Sequence, residues 1–132
     1  MNRAGTTLYL LRNPAHRGVG FFQRSSFFPD FIVWLHDEAT GHTRILFVEP
    51  HGMHHHGLGY PNRSKIEALK KLDEMSGEPA FRDRRIEMGG YILTSTRREE
   101  IPGAEELTWE DLAAEYRVIH QAGDEYIGRM LG

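Results

Sequence analysis

Apolar residues recur at two different periods along this chain, and the change of period marks the elements. Thr6–Leu11 (TTLYLL) reads as a short, largely buried strand stopped by Asn13-Pro14. Gly18–Phe22 suits either a strand edge or a packed loop. In FFPDFIVWL (27–35), Pro29 belongs at the mouth of a strand, because proline cannot donate to a central ladder. Phe31–Leu35 is β-branched and aromatic, as expected of a strand covered on both faces. Glu38–Gly41 is a turn and Thr43–Glu49 the returning strand, which together predict a hairpin. The stretch from His51 to Ser64 is rich in Gly and His and reads as a loop. Ser64 then caps a helix starting near Lys65, with Ile66, Leu69, Leu72 and Met75 as its apolar stripe and Gly77 and Pro79 as its stop. Met88–Ser95 is a further buried strand. Thr108 caps a helix over Trp109–His120, answered by Asp111, with Leu112, Tyr116 and Ile119 facing inward. Residues 122–132 read as a terminal extension. The order predicts one α/β domain over residues 1–132, a mixed central sheet flanked by helices.

Composition narrows the class. A chain of 132 residues is large enough for one real core, and no apolar run approaches the ~20 residues of a membrane span. The absence of cysteine excludes disulfides and thiolate metal sites and fits a cytoplasmic protein. A net charge of −3 argues against a general nucleic-acid coat. The charge is uneven, however. Residues 1–29 hold Arg3, Arg12, Arg17 and Arg24 and no acid, whereas Glu99–Glu115 is strongly acidic. Arg12, Arg17 and Arg24 are therefore candidate phosphate contacts; the alternative is an unevenly charged, solvated surface.

Hairpin register supplies the candidate chemistry. With the turn centred between Ala39 and Thr40, Phe31 faces Val48, Val33 faces Leu46, and Asp30 faces Glu49. Directly opposed residues stand about 4.5–5.5 Å apart at Cβ. Two carboxylates that close repel, and a hard divalent cation relieves the repulsion. A register slip of one residue would separate them onto opposite faces; two strand-end acids in solvent is the plainer alternative.

The block Pro29-Asp30, then Glu49-Pro50-His51, resembles the PD-(D/E)XK nuclease signature. More widely, FFPDFIVWL and ILFVEPHG followed by a helix carrying Lys65 look like the nuclease domain at the C-terminal end of type III restriction enzyme subunits and related DEAD/DEAH-box helicase-nucleases. The similarity runs from about Leu8 to Tyr91–Ser95 and touches YIGRM near the C-terminus. It implies a restriction-endonuclease-like core and Mg²⁺- or Mn²⁺-dependent hydrolysis of DNA phosphodiesters. Asp30, Glu49 and the Pro50 carbonyl would hold the cation, with a helicase or translocase partner and the option of a homodimer.

The chain departs from that pattern at His51, where the family carries lysine. Three explanations stay open: His51 serves as general base or stabiliser, Lys65 takes over the lysine role, or catalysis is lost and a DNA-binding or scaffolding domain remains. The family's additional acid upstream of the first strand is missing from residues 1–29, which suggests a piece of a larger protein. His54, His55 and His56 raise a rival reading as a His-rich metal module, against surface histidines in a mobile loop. Phe21, Phe22, Phe27 and Phe28 could stack on bases, although core packing is the commoner use.

Overall fold

A computed structural model describes residues 5–12, 29–123 and 125–131. The chain forms an α/β fold around an open, five-stranded mixed sheet of order β1-β2-β3-β4-β5. Strands β1 (Thr6–Arg12), β2 (Phe31–Asp37) and β3 (Thr43–Pro50) are antiparallel neighbours. Strands β4 (Ile86–Thr94) and β5 (Val118–His120) then continue parallel to β3. Parallel pairs need a crossover. Helix α1 (Asn62–Ser76), with the short α2 (Pro79–Arg82), joins β3 to β4, and α3 (Trp109–Tyr116) joins β4 to β5.

The predicted hairpin forms in the predicted register: Phe31 pairs with Val48 and Val33 with Leu46. β3 sits centrally with both faces covered, which is why ILFV is unbroken hydrophobic sequence. Phe47 packs toward α1 with Leu69, Leu72, Ile92 and Val118. Leu46 and Val48 pack on the opposite face with Val33, Leu93, Ile119 and Met130.

Helix α1 lies unusually close to the sheet at Gly90. A Cβ there would stand 2.5 Å from Leu69 Cδ2 and 2.6 Å from the Phe47 carbonyl oxygen, so only glycine admits the helix at this height. Ser76 pins the far end of α1 to β4: its hydroxyl accepts from Met88 N–H (2.7 Å) and lies 2.9 Å from the Met88 carbonyl.

Several expectations are corrected. β1 is not largely buried, since Tyr9, Leu10 and Leu11 are exposed on a strand that pairs with β2 at the end of the sheet order. α1 begins at Asn62, with Pro61 at its N-cap and no side-chain cap, so Ser64 lies inside the first turn. The Thr108–Asp111 capping box forms as expected. α3, however, stops at Tyr116 because Arg117 takes a left-handed conformation at φ 58°. Ile119 consequently belongs to β5 and not to the helix face. Residues 125–131 form α4 (Glu125–Leu131), which buries Met130 and is held by Arg44, whose Nη1 donates to the Leu131 carbonyl at 2.7 Å. Gly18–Phe22 and the four phenylalanines 21, 22, 27 and 28 lie outside the described residues. No helix among the described residues is long and apolar enough to cross a membrane.

Candidate active site

The β2–β3 register ends at Phe31↔Val48; Glu49 is the next residue of β3, and Asp30 immediately precedes β2. Asp30 is half-buried in the bend that enters β2, after the buried Pro29. Side chains alternate along a strand, so Glu49 follows Phe47 on the α1 face. It is a charged residue only 8% exposed, at the end of a central strand.

Lys65, in the first turns of α1, donates from Nζ to Glu49 Oε2 at 3.0 Å. The helix stripe of Ile66 and Leu69 packs into the core, and that docking turns the neighbouring Lys65 toward the sheet. A carboxylate this buried is costly unless paired, and Lys65 supplies the pairing charge.

His51 follows Pro50 immediately. Its backbone N–H donates to the Leu93 carbonyl (2.9 Å), and its Nε2 lies 2.7 Å from Asn62 Oδ1. Asn62 is 1% exposed and also donates through Nδ2 to the Gly57 carbonyl at 2.9 Å. Asn62 was absent from the sequence-based site, where it fell within an expected loop. The signal available in the sequence was a polar amide between Pro61 and an amphipathic helix, which alone does not distinguish a bridging residue from a solvated one.

Arg12 pairs with Phe31 and is exposed, so it stands at the same end of the sheet as Asp30. Arg17 and Arg24 lie outside the described residues. The site residues Asp30, Glu49, Pro50, His51 and Lys65 thus come from one end of the hairpin and the helix that follows it.

The histidine run is more anchored than a mobile loop implies. Met53 and Leu58, on either side of it, are buried in the core, and Met53 N–H donates to the buried Thr96 hydroxyl at 3.0 Å. His54, His55 and His56 are exposed between these anchors, with the first two rings 4.1 Å apart at their centroids. Among the described residues no cluster of three or more His, Cys, Asp or Glu side chains converges as a metal cage.

Donor chemistry decides what cation the Asp30 end would suit. Two carboxylates and the Pro50 carbonyl are hard oxygen donors, without sulfur. Such a partial set fits Mg²⁺, which keeps several waters and takes one or two carboxylates, better than a cation needing a full protein cage.

A separate cleft of about 240 Å³ lies at the turn end of the hairpin, lined by Thr6, Leu8, Leu35, Asp37, His42, Arg44 and Leu131. It is remote from Glu49 along β3, and its guanidinium is engaged by α4. Comparisons with protein families, curated proteins and solved structures find no match to this chain.

Proposed function

We propose that this chain is a metal-dependent deoxyribonuclease domain with a restriction-endonuclease-like core. The observation that carries the reading is Glu49, a buried carboxylate ending the central hairpin, with the Lys65 ammonium 3.0 Å away and Asp30 in the bend just before the Phe31–Val48 pair. The Asp30, Glu49-Pro50 and Lys65 set makes sense as a cation and phosphate site.

Each residue has a role in this reading. Asp30, Glu49 and the Pro50 carbonyl would hold Mg²⁺ or Mn²⁺, which would supply phosphodiester polarisation and a more acidic water. Lys65 supplies the fixed positive charge that the resemblance assigns to position 51, brought instead from α1 onto the same carboxylate. His51 is the proton acceptor of the set. Arg12 contacts the DNA backbone from the exposed end of β1, with Arg17 and Arg24 as further contacts. The acidic Glu99–Glu115 segment faces away from DNA. The domain works in the cytoplasm as a module of a restriction or helicase-nuclease system, beside a translocase, and a pair of copies would cut both strands.

The test is nicking of supercoiled plasmid in Mg²⁺ or Mn²⁺ by the parent, Asp30→Ala and Glu49→Ala. Nicking by the parent that vanishes in both variants is expected. A parent that binds DNA without cutting in either metal would instead identify a non-catalytic DNA-binding domain. Cleavage that survives both substitutions would remove these acids from the chemistry.

A further inference from the structure

We propose that Asn62 is a positioning residue that fixes His51 in its Nε2–H tautomer and leaves Nδ1 as the proton-accepting atom of the ring. The catalytic use of that atom rests on the nuclease reading, whereas the tautomer itself does not.

The assignment follows from the Gly57 carbonyl. That oxygen can only accept, and it lies 2.9 Å from one end of the Asn62 side-chain amide. The end facing it is therefore the NH₂ group, because a flipped amide would set two acceptor oxygens against each other. The other end, Oδ1, then faces His51 Nε2 at 2.7 Å. An amide oxygen carries no proton, so the hydrogen in this bond sits on Nε2. A neutral imidazole holds one ring proton, which leaves Nδ1 with its lone pair.

The relay is anchored well beyond these two side chains. Gly57 adopts φ +53°, and a Cβ there would lie 2.0 Å from the Pro102 carbonyl oxygen, so the backbone reaches this position only as glycine. Gly57 N–H donates to the Met53 carbonyl (3.0 Å), and Leu58 N–H donates to the Pro102 carbonyl (3.1 Å). Met53 and Leu58 are core residues. His51 is tied at its own backbone to Leu93. An orientation set by the core thus passes through Gly57 and Asn62 to the ring. The asparagine also orients the histidine without adding a charge beside Glu49.

Among the described residues, the buried Asn62 amide meets the Gly57 carbonyl and His51 Nε2. A leucine of similar size would leave the Gly57 carbonyl and His51 Nε2 without these partners. The arrangement resembles the general logic in which a second group fixes the tautomer and rotation of a working histidine, as outer-shell partners do for metal-bound imidazoles.

The ring nitrogens of ¹⁵N-labelled protein give a direct readout at alkaline pH, where imidazole is neutral, with His51→Gln used to assign the signals. No DNA or metal is present, so this result stands apart from the success of the nuclease reading. The parent should show a protonated, pyrrole-type Nε2 and an unprotonated Nδ1 at His51. Asn62→Leu should move both signals toward the averaged values of a tautomer mixture. A parent His51 protonated at Nδ1 would overturn the proposal by itself, even if Asn62→Leu does not fold. So would a folded Asn62→Leu with an unchanged spectrum. In the plasmid assay, Asn62→Leu should lose about 10–100-fold in nicking rate, the usual effect of an orienting partner. Undiminished nicking by a folded Asn62→Leu whose tautomer is lost would overturn the positioning role.

Discussion

Helix α1 carries an ion pair near each end, and the two are built in opposite senses. Near its start the acid is the buried partner: the Glu49 side chain is 10% exposed and that of Lys65 26%. Near its end the base is buried: the Arg117 side chain is 15% exposed and that of Asp73 49%, with Nη2 2.8 Å from Oδ1. Arg117 is also fixed from a second side, its guanidinium lying 4.6 Å over the Tyr91 ring. A planar guanidinium clamped in this way is a scaffold part. A lysine on a flexible stem is a mobile point charge, and it can release a carboxylate to another cation. The two ends of the helix thus differ in which partner is buried, the acid at its start and the base near its end.

Breaking the first pair should have the largest effect. Lys65→Met leaves Glu49 uncompensated and should lower metal-free stability by up to about 3 kcal/mol. Added Mg²⁺ should restore more of the melting temperature in this variant than in the parent, because the cation replaces the lost charge. Thermal melts with and without Mg²⁺ measure this, and equal Mg²⁺ responses would argue that Glu49 takes no metal.

Lifting α1 from the sheet should disturb both ends together. Gly90→Ala forces a methyl group against Leu69 and the Phe47 carbonyl and should cost about 1–3 kcal/mol in denaturant unfolding. If the two pairs share one rigid helix, plasmid nicking should fall in parallel.

A smaller effect lies outside the helix. Thr108→Ala removes the α3 cap and should cost about 1 kcal/mol. The Thr108 backbone N–H, with its hydroxyl, holds the Asp111 carboxyl below the usual carboxylate range. A depressed carboxylate stabilises the fold above its unfolded pKa, and the contribution is lost as pH falls through the folded value. Acid unfolding of Thr108→Ala should accordingly lack part of the parent's slope.

Asp73 has the opposite sign. Burial raises its carboxyl above the usual value, outweighing the nearby Arg117, with Glu87 adding to the rise. The 2.8 Å contact and the upward direction pull against each other, and desolvation is the larger influence. A raised carboxyl contributes stability below its unfolded pKa and loses it as pH rises through the folded value. Asp73→Asn should thus gain stability relative to the parent as pH rises from the acid range to neutrality, by a small amount at so exposed a group. A difference that is flat with pH would contradict the assignment.

The hairpin was legible because an unbroken apolar strand, a short turn and a second apolar strand leave few registers that bury both. The Lys65 helix was legible from its stripe, although its start was misplaced: serine is a common cap, and Pro61 carries no sequence signal as strong. The end of α3 was not legible. Arg117 is neither glycine nor asparagine, yet it takes the left-handed turn, and the three-residue β5 beyond it is too short for a period to show. The exposure of β1 was hidden because TTLYLL is apolar, and its place in the sheet depends on the whole strand order. The acids and Lys65 were candidates from sequence position alone. Asn62 was not, since its role depends on the Gly57 carbonyl being turned toward it by contacts with Pro102.

The most direct measurement compares Mg²⁺-dependent plasmid nicking by the parent, Glu49→Gln and Asp73→Asn, purified identically so that any trace nuclease is common to all three. Both substitutions remove one carboxylate charge from an α1 ion pair and leave its shape nearly unchanged. The account predicts nicking at the parent rate by Asp73→Asn and a loss by Glu49→Gln exceeding the ~10–100-fold typical of an outer-shell partner. Equal rates in the two variants would contradict it, as would a folded parent that cuts in neither Mg²⁺ nor Mn²⁺.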